Sequence, residues 1–283
     1  MTIVASGAAI LFLPPYPQFK AHRLEITAID VGQGDSLLMV FPDGKSMLLD
    51  SGGPLGGSHS EFDIGEQVVS PYLWSRGISR LDVVAYSHPH SDHMGALPTI
   101  IRNFSPRELW LGFAPPIKDV ENVLEAAREE QVKLVFYRTG DQFEFGGVQV
   151  RVLLPLKDQQ PHIPPKDDDV LAFKITYGKT SALLIGDSHK KEEREVIDLS
   201  PASDFLKIAH HGSNTSTTSE FLAAVHPRYG VISVGARNSF KHPRPEILQR
   251  LAAFGVRTYR TDMVGATTFY LDGQTVSAKQ AAN

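Results

Sequence analysis

Residues 87 to 93 read SHPHSDH, three imidazoles and a carboxylate within seven positions, directly after the apolar run LDVVAY. Protonated imidazoles this close would repel one another, and neutral ones gain little by packing. Neutral imidazole nitrogen and carboxylate oxygen are, however, the donors that zinc and its first-row neighbours accept. Pro89 keeps a regular helix from starting between His88 and His90. In an extended loop alternate side chains share a side, so His88 and His90 can reach one cation. Asp92 and His93 can serve a second. Two cations about 3.5–4 Å apart clamp both oxygens of a displacement at phosphorus.

Three later stretches carry compatible chemistry. LLIGDS delivers Asp187 to the end of a buried strand, where a carboxylate can bridge two cations as imidazole cannot; a turn aspartate capping the next helix is the alternative. LKIAHHGSNTST brings His210 and His211 to a glycine turn. Adjacent histidines point apart, so one is expected to bind metal and the other to face substrate, with His210, nearer the strand, the favoured ligand. Ser213 suits either a phosphate oxygen or a helix cap. RNSFKHPRPE gathers Asn238, Lys241, His242 and Arg244 before a helix whose free first-turn N–H groups favour anions. Lys207, Arg228, Arg237, Arg257 and Arg260 give the C-terminal part a positive bias that the total conceals.

The elements that must position these groups follow from pattern. RLEITAID, DSLLMVF and KSMLLD read as strands, with a primed turn expected at Asp43-Gly44. GEQVVSPYLWSRG reads as a helix stopping at Gly77, and LDVVAYS as a strand buried on both faces. Helix and strand then alternate to ATTFYLDG, interrupted by a DQFEFGGVQVRVLLP hairpin and a polar, Pro-rich loop over 157–169. Each half carries strands first and then helix–strand alternation. That predicts an α/β fold of four layers, two sheets face to face with helices outside.

Of 283 residues, 42% are hydrophobic, enough for a sizeable core; the net charge of −4 gives no support to a free-standing nucleic-acid binder. The absence of cysteine removes disulfides, thiolate nucleophiles and thiolate zinc sites together. The apolar run from Ile3 to Leu13 is short of the roughly 20 residues a bilayer span needs and lacks a basic flank for a signal peptide. Residues 1–20 therefore read as a loose arm or the tail of a transmembrane helix, and 21–283 as one domain.

SHPHSDH, LLIGD and HHGS resemble the metallo-β-lactamase fold, whose αββα architecture is the one predicted. AIDVGQGDS, LLDSGG, SHPHSDHMGAL, LLIGD, IAHHGSNTST, NSFKHP and RTDMVGATTF, in that order over residues 23 to 271, resemble the C-terminal domain of ComEC-type competence proteins. The resemblance implies a metal-dependent nuclease or phosphodiesterase that degrades the non-transported DNA strand during uptake. It implies a place in the bacterial envelope, on the outer side of the inner membrane, beside a channel part in cis or trans. Two divalent ions, zinc or manganese, would be held by His88, His90, Asp92, His93, Asp187 and His210. Asp92, His211 and His242 would serve catalysis, and Lys207, Ser213, Asn238, Lys241 and Arg244 the substrate. The chain departs from the family pattern twice. Only His162 lies where the fold usually has a further histidine ligand, and Asp167 and Val170 stand where the family often has an N-x-x-S stretch. Rival readings are a hydrolase of a small phosphodiester or other ester, and a non-catalytic metal- or DNA-binding module of an uptake channel.

Overall fold

The structure, a computed structural model, describes residues 19–54 and 62–280. The arm expected over 1–20 thus lies almost wholly outside the described residues. Eight strands form one sheet: β1 (Leu24–Ala28), β2 (Leu37–Val40), β3 (Ser46–Leu49), β4 (Val83–Ala85), β5 (Glu108–Leu111) and β6 (Lys133–Phe136), joined by β14 (Thr267–Leu271) and β15 (Val276–Gln280). Their order is β15-β14-β1-β2-β3-β4-β5-β6. The second sheet holds β7 (Gln142–Phe145), β8 (Val148–Leu154), β9 (Ala172–Tyr177), β10 (Thr180–Leu184), β11 (Phe205–Lys207), β12 (Tyr229–Ile232) and β13 (Arg257–Arg260), in the order β13-β12-β11-β10-β9-β8-β7.

Side-chain alternation sorts the strands into layers. In β2, Leu37 and Met39 join the core between the sheets, while Leu38 and Val40 face the helices outside. The first sheet is covered by helices Ser70–Ser75, Leu97–Phe104 and Lys118–Glu129, the second by Lys190–Ile197, Ser219–Val225 and Pro245–Ala253. The result is the predicted αββα arrangement. Trp110 on β5 anchors the interior, its ring 5.2 and 5.1 Å from those of Phe143 and Phe145 on the opposite sheet.

The structure departs from pattern reading in four places. The turn after β2 is not primed: Pro42 holds its φ negative, Gly44 N–H donates to Phe41 O at 2.9 Å, and only Gly44 takes a positive φ. Ser91–Met94 is a helical turn rather than extended loop, because Pro89 obstructs a helix before it, not after it. The alternation read up to ATTFYLDG misses a short helix, Thr261–Val264, which follows β13 directly after Arg260. Finally, β15 is a strand where the polar VSAKQ showed no apolar alternation.

Strands β3 to β6 run parallel, as do β10 to β13, so the loops after β3, β4, β10, β11 and β12 leave C-terminal strand ends. Open α/β sheets bind ligands at such ends. Replacing Trp110 with alanine should cost about 3–5 kcal/mol, read as a lowered urea midpoint with unchanged slope.

Candidate metal centre

Each histidine-bearing loop is held by backbone contacts that its sequence permits. The turn carrying Asp92 and His93 rests on two glycine loops. A Cβ on Gly34 would strike the Asp92 carbonyl, and one on Gly53 would strike that of Ser91. Asp35 N–H donates to Asp92 O at 3.2 Å and Ser51 N–H to His93 O at 2.7 Å. DVGQGD and LLDSGG are therefore the bed on which the histidine turn lies.

His93 is fully buried. Its Nδ1 lies 3.0 Å from Asp50 Oδ2, which leaves Nε2 facing Asp187 Oδ2 at 3.3 Å. His211 is built the same way: Nδ1 lies 2.8 Å from the Ser233 carbonyl, so it must carry the proton, and Nε2 lies 3.4 Å from both Asp92 Oδ2 and Asp187 Oδ2. Neither Nε2 has a well-aligned hydrogen bond although both are buried. His88 shares a possible coordination group with His93 and Asp187, its Nε2 3.0 Å from His90 Nδ1. Oriented imidazoles with free inner nitrogens, converging on carboxylates, fit a divalent cation centre.

Electrostatics agree with the geometry. Burial opposes charge on His93, but the carboxylates of Asp187, Asp50 and Asp92 outweigh it and hold the imidazole well above its usual value. His211 is raised in the same way by Asp187 and Asp35 against burial. Burial pushes Asp187 up, yet His211, His93 and Lys207 bring it far below the normal carboxylate range. Burial and then His93 depress His88. The pocket floor thus demands positive charge.

The structure redistributes several expected roles. Where His210 was the favoured ligand, His211 points into the cluster. Both residues take left-handed φ values, +48° and +52°, which send His210 outward, its Nδ1 3.1 Å from His189 Nε2. Its Nε2 stays 3.9 Å from Asp187 Oδ2. Lys207 cannot hold a flanking phosphate: it is 1% exposed, its ammonium paired with Asp35 and lying 3.4 Å from Asp187. Ser213 does not cap the next helix, a role Thr218 fills by accepting from Phe221 N–H at 3.2 Å; its Oγ instead accepts from Thr215. Asn238 spends its amide on its own loop, bonding Gly235 O, His242 O and His242 N–H. His242 keeps a ring edge near His210, at 5.7 Å between centroids, and burial with the His210, His211 and Arg244 charges lowers it to about 4. Lys241 is exposed and Arg244 half-buried.

Four residues emerge that pattern reading passed over. Asp35 and Asp50 lie at strand ends in stretches rich in glycine, as Asp187 does, and that shared placement was the available signal. Asp167 comes from the Pro-rich loop, which buried Asp169 folds by accepting from His162 and Lys166 N–H. Asp167 Oδ1 thereby reaches 3.0 Å from His90 Nδ1, while His162 is tied to Asp169 at 3.0 Å. His189, two residues beyond Asp187, pairs with Asp167 Oδ2 at 2.9 Å.

The family model described as Metallo-beta-lactamase superfamily matches residues 29–236, which include β2 to β12 and the loops that carry Asp35, Asp50, His88, His93, Asp187 and His211. This chain belongs to the metallo-beta-lactamase superfamily. Membership makes it a metal-dependent hydrolase by family. It is related to competence proteins: to ComE operon protein 3 of Bacillus subtilis (strain 168), 34% identical over 92% of this chain and 34% of that protein. Competence protein ComA of Neisseria gonorrhoeae is 28% identical over 96% of this chain and 36% of its own length. The chain spans about a third of the length of these curated relatives. Among solved structures, the metallo-beta-lactamase fold protein YhfI from Bacillus subtilis superposes with a TM-score of 0.58 at 13% identity, covering 88% of this chain and 100% of that one. A diphosphatase from the PhnP family gives 0.51 at 17% identity, over 88% and 99%. These two likenesses are of fold. Among the described residues of this superfamily member, no helix is long and apolar enough to cross a membrane.

Removing the ammonium of Lys207 strands two buried carboxylates. Lys207→Met should cost about 3–5 kcal/mol in urea unfolding, and adding Asp35→Asn should recover part of that loss.

Proposed function

We propose that this chain hydrolyses phosphodiesters, with DNA as the substrate, through a pair of divalent cations. The observation that carries this reading is the pair of buried, partner-fixed imidazole nitrogens, on His93 and His211, facing one shared carboxylate, Asp187. His88 and His90 would hold the first ion and Asp92, His93 and His211 the second, with Asp187 common to both. Asp167, whose carboxylate lies against His90, would complete a donor group with His88 and His90. Zinc and manganese both suit a nitrogen and oxygen donor set without thiolate. When bound, such ions polarise a phosphoryl oxygen and make water more acidic.

The protein supplies the rest. Asp50 and the Ser233 carbonyl fix the tautomers of His93 and His211. A cleft of about 540 Å³, lined by His90, Asp92, Asp167, Asp187, His210 and Phe240, admits a phosphate backbone to this floor. His242 is neutral at pH 7, since burial and neighbouring positive groups lower it to about 4. It can therefore donate a hydrogen bond to a charged oxygen but brings no positive charge of its own. Lys241 and Arg244, on the loop before helix Pro245–Ala253, are the cations left for flanking phosphates once Lys207 is accounted for. The competence-protein names of the relatives support DNA as the substrate and the cell envelope as the location. We assign residues 21–283 to one domain that acts beside a membrane channel part, in cis or trans.

A nuclease assay on single-stranded DNA tests the reading. Zinc or manganese should restore cleavage to chelated protein, and Asp187→Ala should lower kcat by 100-fold or more while leaving the fold intact. A chromogenic small diester cleaved faster than DNA would move the substrate to the small-ester alternative, and DNA bound but uncut would remove the enzyme reading. Lys241→Ala and Arg244→Ala should each weaken DNA binding and reduce its salt slope by about one.

A further inference from the structure

Asp167 faces two sets of nitrogens at once. Its Oδ1 lies 3.0 Å from His90 Nδ1 and 3.7 Å from His88 Nε2, on the inner side. Its Oδ2 lies 2.9 Å from His189 Nε2 and 3.9 Å from His210 Nδ1, on the outer side. Those last two nitrogens are 3.1 Å apart, their rings stacked with centroids 5.1 Å apart and planes 13° from parallel. A cation bound at zinc-like distances spaces its donors about 3–3.5 Å from one another, close to this triangle.

The triangle differs from the inner cluster in access. His93 and His211 are buried, whereas Asp167, His189 and His210 each retain between 21% and 33% exposure of their side chains. Asp167 and His210 line the cleft that leads down to Asp187. The backbone favours this placement: the left-handed turn at residues 210 and 211 splits the adjacent imidazoles, one to the floor and one to the rim.

We propose that Asp167, His189 and His210 form a third divalent-cation site on the rim of the cleft, sharing the Asp167 carboxylate with His88 and His90. Its donors, two imidazoles and a carboxylate oxygen, suit zinc or another first-row divalent ion. The proposal extends the reading of the floor as a cation centre, and the two can be tested separately.

The variant is His189→Asn, because asparagine is a favoured N-cap for helix Lys190–Ile197 and lacks the distal ring nitrogen. The Glu192 carboxylate can still accept from the backbone N–H of residue 189, as it does now at 3.1 Å. Zinc titration of the whole chain against a chromogenic chelator, with metal counted by mass spectrometry, should give one ion fewer per chain than wild type. Melting temperatures in chelator should match. Cobalt substitution should show the same loss as a drop in visible absorption. Equal zinc and cobalt binding by wild type and His189→Asn would overturn the rim site. Asp187→Ala reports on the floor alone. If it loses ions while His189→Asn loses none, the rim fails and the floor stands. If His189→Asn loses one and Asp187→Ala none, the rim stands and the floor reading fails.

Discussion

Asp35, Asp50 and Asp187 are each no more than 2% exposed, and Asp92 joins them from the turn above. Carboxylates cannot be buried together as anions unless positive charge lies among them, since each buried ion costs several kcal/mol. Lys207 is the fixed part of that counter-charge. It rises from β11 of the second sheet, meets Asp35 from the loop before β2 of the first, and lies against Asp187 after β10. One ammonium therefore ties the two sheets together at the end where all the functional loops emerge. What it leaves unneutralised must be supplied by protonated imidazoles or by metal, and the inward-facing nitrogens of His93 and His211 are arranged for either.

Much of this was legible in the chain. Three histidines and an aspartate within seven positions advertise ligands because the signal is short-range, and strand periodicity separates the layers for the same reason. The parts that escaped reading depend on distant contacts. Nothing local distinguishes Lys207, as a buried cation, from a surface lysine. Asp167 looked like a loss relative to a family pattern until the loop was seen folded around Asp169. The choice between His210 and His211 could not follow from which residue ends the strand, because the strand stops at Lys207 and a left-handed turn decides the directions. The polar strand β15 is specified by pairing with β14 rather than by its own composition.

The left-handed pair at 210 and 211 is costly backbone, of the kind that persists where surroundings over-determine it. Here they do. His211 is gripped by the Ser233 carbonyl, Ser213 N–H donates to His210 O at 2.8 Å, and Gly212 packs so closely on Pro243 that a Cβ would collide. The same glycine accepts from Arg244 N–H at 2.9 Å, linking the histidine turn to the basic loop. The histidine turn and the basic loop are thus joined by a backbone hydrogen bond and by the packing of Pro243 on Gly212.

The placement of β14 and β15 bears on how the molecule is made. Strand β1 is made before β2 to β13, yet one flank of it is satisfied only by residues 267–271. Until those emerge, Leu24, Ile26 and Ala28 lack their lid of Phe269 and Leu271. The nascent first sheet therefore carries an open hydrogen-bonding edge until β14 has been made. Its closure waits on a strand that lies more than two hundred positions further along the chain than β1.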